Sequence, residues 1–410
     1  LKVLVITFFH VPFGPADQSG IQRRFGVHLR ALARLSDDIT LLHIVPAEMI
    51  EAAGPLDALS ESQSAFWGVK LRIGLVARNT RQETRWEHYG AGIFNAASMP
   101  GLFAYGGDSV VAGVATYLAE APDIVFAHRP SGILPILRSR SKPRKLIFDM
   151  DDIEHKVVFR HAVSAPFYAG KLLRLLQLPA LIYLERQAVA AARLTFVCSR
   201  QDQRYLSKRA YGSAIRVVPN ALPVPNAPPG LAAHQTVLLL GDMKNPPNHM
   251  AAARLISRIW PLIRATNPEA KLLIGGRGSD SLPSTGTGAK GVEFLGFVDD
   301  LDALYARSRV VCCPIMTGGG TRLKLVEAAS YARPMVSTTV GAEGLDFVDG
   351  QHILLRDDDA GFAAACVELL RDDALCRRLG AAAREVMVAQ YDARQIERQI
   401  ADMIGELQLA

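Results

Sequence analysis

Two stretches of the sequence combine residue types with a spacing suited to ligand chemistry. In Gly318-Gly319-Gly320-Thr321-Arg322-Leu323-Lys324-Leu325-Val326-Glu327, three glycines let the backbone approach a ligand closely. The helix beginning near Thr321 aims its free amides at the same point. Lys324 and Glu327 are three residues apart and share a helical face. A cation for phosphates beside a carboxylate for ribose hydroxyls is a nucleotide-handling pair. An exposed Lys–Glu pair contributes little by itself and leaves the glycine run unexplained. The second stretch, Asp149-Met150-Asp151-Asp152-Ile153-Glu154-His155, crowds three aspartates into four positions after an apolar strand pattern. Their repulsion raises some of their pKa values unless a cation or donor offsets it. Such a cluster either binds a metal or partner or positions a substrate. A helix N-terminus with acids in its first turn accounts for Asp151 and Asp152, and less well for Asp149. No other part of the sequence supplies a matching ligand set, so no metal site is expected.

Weaker signals surround these. Ser19-Gly20 precedes a helix read over 21–35, with Arg23 and Arg24 nearby; the pair is a phosphate-binding turn or only a turn. His128-Arg129 closes another apolar strand. In Gly241-Asp242-Met243-Lys244-Asn245-Pro246-Pro247-Asn248, the lysine meets a phosphate or is an ordinary surface lysine. No Gly-Lys-Ser/Thr follows the glycine run, and Gly275-Gly276-Arg277-Gly278 is not a full dinucleotide fingerprint.

The elements that must position these residues are legible as alternating short apolar runs and helix-period segments. Strands are predicted over 2–7, 39–45, 70–76, 123–128, 145–148, 194–198 and 215–218. A second series covers 236–240, 270–274, 292–295, 309–313, 334–337 and 352–355. Between the two series the run from Pro219 to Gly230 is too rich in proline to continue helix or central strand. The expectation is α/β architecture with two doubly wound parallel-sheet domains. Their bounds are read as 1–222 and 236–390, with a linker over 223–235 and a last amphipathic helix over 391–410.

At 410 residues, 49% hydrophobic and 21% charged, the chain is neither disordered nor a disulfide mini-scaffold. No apolar run is long enough to span a bilayer, and residues 1–7 read as a strand rather than a signal peptide. Five cysteines without framework spacing fit a reducing cytoplasm. Cys312-Cys313 reads as two small core residues. Net charge is +6, but residues 1–220 hold 27 Lys and Arg against 18 Asp and Glu, and the remainder is net acidic. One half is therefore expected to meet something anionic, and the absence of zinc-knuckle or aromatic-basic signatures argues against nucleic acid. The basic, apolar segment 171–179 lies on a membrane surface or, more commonly for such stretches, packs against a core.

In their order along the chain these motifs resemble the retaining glycosyltransferases of family 4, also called glycosyl transferases group 1. The resemblance is carried by the Gly20 turn, Val197-Cys198-Ser199, Val218-Pro219-Asn220, Gly241 to Asn248, Leu273-Ile274-Gly275-Gly276, Phe294 to Leu301, Gly320 to Ala328, and Pro334 to Thr338. It implies the GT-B fold, two facing Rossmann-like domains with a C-terminal helix crossing back to the first. By the same resemblance Glu327 binds the donor ribose, and Phe297 and Val298 pack on the base. Lys244 with Arg322 or Lys324 neutralises the diphosphate, joined by the Gly20 amides. The amides of Gly319, Gly320 and Thr321 face the donor sugar. Asp149 stands where the family usually has a histidine, so it is the expected catalytic residue, supported by Asp151 or His128. Gly319 stands where the family usually has a glutamate, which implies fewer contacts to sugar hydroxyls.

The implied reaction moves a sugar from a nucleotide-sugar, such as a UDP- or GDP-sugar, to a hydroxyl acceptor with retention and without a divalent metal. Arg23, Arg24 and Arg129 are acceptor-side candidates. The basic first half suits a glycan or lipid-linked acceptor of bacterial surface polysaccharide or lipopolysaccharide biosynthesis. It also suits peripheral contact with an anionic membrane from the cytoplasmic side. The alternatives are a nucleotide-sugar epimerase of the same fold and an inactive nucleotide-sugar-binding partner protein.

Overall fold

Strands buried on both faces of a parallel sheet are written as near-continuous apolar runs, and those of this chain form two such sheets. The computed structural model describes residues 1–8, 20–79, 85–163, 167–208, 213–282 and 290–409. The chain divides into two compact units, Leu1–Pro219 with Gln395–Ala410, and Asn220–Arg394.

The first unit carries β1 (Lys2–Thr7), β2 (Asp38–Val45), β3 (Arg72–Ala77), β4 (Ile124–His128), β5 (Leu146–Asp151), β6 (Leu194–Val197) and β7 (Ala214–Val217). They lie in the order β3-β2-β1-β4-β5-β6-β7, with every pair parallel. Val5 pairs with Leu41 on one side and Phe126 on the other. Leu4, Ile6, Val125, Ala127 and Phe148 face one apolar core. The order reverses between β1 and β4, the switch point at which open α/β sheets leave a crevice beyond their carboxyl ends.

The second unit carries β8 (Thr236–Leu240), β9 (Lys271–Gly275), β10 (Val292–Gly296), β11 (Val310–Cys313), β12 (Met335–Ser337) and β13 (Leu354–Leu355). Their order is β10-β9-β8-β11-β12-β13, again all parallel, with the switch between β8 and β11. Both sheets and the Rossmann-like winding agree with the sequence expectation. Cys312 and Cys313 are buried in β11 as small core residues.

The proline-rich stretch is fixed to the second unit. Arg333 donates to the carbonyls of Pro229 and Gly230 at 2.9 and 2.8 Å, and Arg384 donates to Pro225 at 2.8 Å. Leu222 exchanges backbone hydrogen bonds with Tyr391 and Ala393, which draws the unit boundary back to Pro219. The last helix, Ala393–Leu409, contributes Glu397 to an ion pair with Arg30 of the helix Gly20–Ala33 at 2.5 Å. Among the described residues no helix is long and apolar enough to cross a membrane.

Helix Asp373–Tyr391 packs on Leu323–Ser330, which follows the glycine run. The close approach needs Gly380, where a Cβ would lie 2.1 Å from the Ala332 carbonyl oxygen. Gly380→Ala should therefore lower the stability of this unit by about 2–3 kcal/mol in urea unfolding; an unchanged midpoint would contradict this packing.

Candidate functional site

The acidic cluster of the first unit lies at the end of β5, and its chemistry is decided by helix Gly20–Ala33. Arg24 reaches across to Asp149, with Nη2 2.6 Å from Oδ1 and Nε 3.1 Å from Oδ2. Its Nη1 donates to the Val218 carbonyl at 2.7 Å, and Asp151 stands 3.4 Å from its Nε. One turn further along the helix, His28 Nε2 lies 3.2 Å from Asp149 Oδ2. Both Arg24 and Asp149 are buried, with side-chain exposures of 1% and 0%. Burial alone would raise the Asp149 pKa, but Arg24 and His28 outweigh it and hold the carboxyl well below its usual range.

Asp149 is fully buried, and its oxygens face Arg24 and His28. The Arg24 guanidinium is held by Asp149, Asp151 and the Val218 carbonyl. His128 is fully buried at the end of β4, 3.9 Å from Asp149, with Thr7 Oγ1 3.3 Å from its Nδ1. Burial pushes its pKa down to about 3, so it is neutral near pH 7. Arg129 pairs with Glu154 at 2.6 Å and approaches Asp151 at 3.5 Å. Arg129 and Asp151 both adopt positive φ, 60° and 57°, a costly conformation for residues with a Cβ that tends to gather at functional sites. Arg23 is half-buried and Gly20 exposed on the same first helix; Ser19, the other half of the expected turn, lies outside the described residues.

Asp151, Asp152 and Cys198 bring three ligand-type atoms within 4.8 Å of one another. The Cys198 thiol donates to the Asp151 carbonyl at 2.8 Å, and burial raises its pKa well above normal.

In the second unit, Lys324, Glu327 and the glycine run meet at the carboxyl end of β11. Gly318 and Gly320 have φ of 113° and 74°, so the turn itself requires glycine at both positions. Arg322 Nη1 donates to the Gly319 carbonyl, and Asn220 donates to Thr321 Oγ1 at 2.7 Å. No side chain caps helix Leu323–Ser330, which leaves its first amides directed at this loop. Lys324 Nζ donates to Asn248 Oδ1 at 2.7 Å, while Asn248 Nδ2 holds the Asp242 carbonyl at 2.9 Å. Among the described residues no carboxylate lies within ion-pair distance of Lys324. Burial of its ammonium lowers its pKa, although part of the side chain remains accessible.

Glu327 Oε2 accepts from the Tyr305 hydroxyl at 3.2 Å. Tyr305 in turn stacks on Tyr331, with ring centroids 4.2 Å apart, and Tyr331 donates to Asp302 at 2.6 Å. Lys244 is exposed beyond β8, its backbone amide bonded to Asp242 Oδ1 at 2.9 Å. Phe297 is half-exposed after β10, and Val298 packs against the core below it. Sequence reasoning missed His28 and Tyr305 as supporting residues. The i, i+4 spacing of Arg24 and His28 marks one helical face, whereas nothing local to Tyr305 announces its partner.

Two parallel Rossmann-like sheets, seven- and six-stranded, give this chain the GT-B fold. Its residues 234–372 match the family model of the glycosyl transferases group 1. A phosphatidyl-myo-inositol mannosyltransferase of Mycobacterium leprae is 32% identical over 203 residues, which cover 47% of this chain and 53% of that protein. The chain spans about half the length of the curated relatives it matches, or less. Among solved structures, TarM of S. aureus superposes with a TM-score of 0.68 at 12% identity, covering 97% of each chain. Anabaena Alr3699/HepE in complex with UDP-glucose does so with a TM-score of 0.63 at 14% identity, covering 99% of each chain.

The buried His128 has a pH signature. Its folded pKa, about 3, lies below the unfolded value of about 6.5, so the unfolded chain takes up the proton first. Stability from this group is complete above about pH 6.5 and falls by up to about 1.4 kcal/mol per pH unit below it. Asp149 adds to the loss only near and below its unfolded value of about 3.9. His128→Asn should therefore show a shallower loss of stability between pH 6 and pH 4 than the parent chain in urea titrations, by order of one proton. An equal slope would mean that His128 is charged in the folded state.

Proposed function

We propose that the chain is a glycosyltransferase that moves a sugar from a nucleotide-sugar donor to the hydroxyl of a glycan or lipid-linked acceptor, with retention of configuration. The observation that carries this reading is the Lys324 ammonium. It is desolvated, bonded to a neutral asparagine and set beside uncapped helix amides at a switch point. Such a group favours an anion, and a diphosphate meets the cation and the amides together. Glu327, which accepts from Tyr305 through Oε2, is the carboxylate proposed for the ribose hydroxyls. Phe297 and Val298 offer the base a partly exposed apolar surface, and Lys244 and Arg322 supply further positive charge. The GT-B neighbour solved with UDP-glucose and the mannosyltransferase relative support a donor of this class.

In the proposed step the bond between the anomeric carbon and the donor phosphate oxygen breaks as the acceptor oxygen bonds to the same face of that carbon. The acceptor proton passes to the departing phosphate. Negative charge develops on the leaving diphosphate, where Lys324 and the amides of Gly319, Gly320 and Thr321 stabilise it. The cations of this loop fill the role a divalent metal would have, so transfer is expected to persist in chelator. We place the reaction in the cytoplasm, in the assembly of surface polysaccharide or lipopolysaccharide. The basic first unit serves the acceptor, with Arg23 and Arg129 as its candidate contacts and Asp151 beside them.

Glu327→Ala and Lys244→Ala should each weaken UDP or GDP binding at least about tenfold in calorimetry, the loss of one charge-assisted contact. Unchanged affinity in both would overturn the donor site. Incubation with nucleotide-sugar alone should leave the sugar unaltered; a new nucleotide-sugar would instead establish an epimerase.

A further inference from the structure

Two helices of the second unit are tied together by a crossed pair of tyrosines. Tyr305 lies on helix Leu301–Arg307, and Tyr331 closes helix Leu323–Ser330. Their rings stack with centroids 4.2 Å apart and planes 12° from parallel. The two hydroxyls donate in opposite directions across the stack. Tyr331 bonds Asp302 of the first helix at 2.6 Å, and Tyr305 bonds Glu327 of the second at 3.2 Å. Asp302 and Tyr305 are three residues apart, and Glu327 and Tyr331 four, so each helix presents one ring and one acceptor on the same face. Tyr305 is fully buried, and Tyr331 and Glu327 are 8% and 9% exposed.

A buried phenol needs an acceptor, and that need alone would account for one such bond. The choice of acceptor points further. Asp302 is an exposed carboxylate, whereas Glu327 stands one turn after Lys324 on the helix that follows the glycine run. A glutamate side chain has several rotatable torsions, and ordering it when a ligand arrives subtracts from affinity. A hydroxyl carried on a buried, stacked ring has little freedom to follow the carboxylate as it turns. It therefore favours one orientation of Glu327 before any ligand is present, which is how a supporting hydrogen bond sharpens a binding group.

We propose that Tyr305 is a positioning residue that orients Glu327 toward the ribose hydroxyls and so sets the preference for a ribonucleotide over its deoxy forms. This rests on the donor site proposed above, and the two can fail separately. UDP and GDP are titrated calorimetrically into the full chain, and the tighter one is compared with its 2′-deoxy and 3′-deoxy forms. The parent chain is expected to favour the ribonucleotide at least about tenfold over the weaker deoxy form. Tyr305→Phe keeps the ring and removes only the hydroxyl; it should lower that ratio at least about threefold. A loss of stability alone would weaken all three ligands alike and leave the ratio in place. In a Glu327→Ala background Tyr305→Phe should change the ratio no further, because Tyr305 acts through the carboxylate; an equal fall there would overturn the proposal. A ratio that Tyr305→Phe preserves would overturn the positioning role and leave the donor site standing. A parent chain without any preference would overturn ribose recognition by Glu327, and the role of Tyr305 with it. If Tyr305→Phe does not fold, Tyr331→Leu removes the stack and leaves the hydroxyl. The same fall is then expected, and an unchanged ratio would overturn the proposal.

Discussion

A cation held away from water beside a neutral partner is the constraint on which the second unit turns. Removing an ammonium from water is costly, and a lysine so placed either lowers its pKa or acquires an anion. Lys324 is held there by Asn248, whose amide is itself tied to Asp242 at the end of β8. The parallel order around β8 and β11 brings that loop and helix Leu323–Ser330 to the same edge of the sheet. Glycines at positive φ shape the loop between them, and the uncapped helix amides add to the same field. Each of these features carries a local cost that the proposed diphosphate would offset.

The first unit presents the opposite case. Arg24 and Asp149 are more deeply buried than Lys324, yet each compensates the other, and the carbonyl of Val218 takes up a remaining guanidinium donor. A buried pair completed in this way contributes little net stability, but losing one member would strand the other. The pair fixes helix Gly20–Ala33 against β5 and the end of β7, and leaves the strained Arg129 and Asp151 as the more exposed part of the cluster.

Much of this was legible along the chain because parallel strands and glycine turns are local signals. The runs that became β8 and β11 read as strands from their apolar content, and the Lys324–Glu327 pair followed from helical spacing. What escaped was decided by distant partners. Asp149 looked reactive because its own neighbours are acids, whereas its state is set by Arg24, 125 positions away. The segment 223–230 read as a linker from its prolines, but Arg333 and Arg384, more than a hundred residues downstream, dock it. Tyr305 lies 22 residues before Glu327 with no sequence cue to their bond. The segment 171–179 was ambiguous between core and membrane surface because its helix, Ala169–Ala191, has a covered side and an exposed one.

The proton on Lys324 would report the arrival of the proposed diphosphate directly. A folded pKa depressed by burial should rise when a diphosphate arrives, so binding at alkaline pH should take up protons. Calorimetry of UDP binding in two buffers of different ionisation enthalpy measures that uptake. Net uptake is expected in the parent chain, and its loss together with weakened binding in a folded Lys324→Met variant. Buffer-independent enthalpy in the parent chain, or full affinity in the variant, would contradict it.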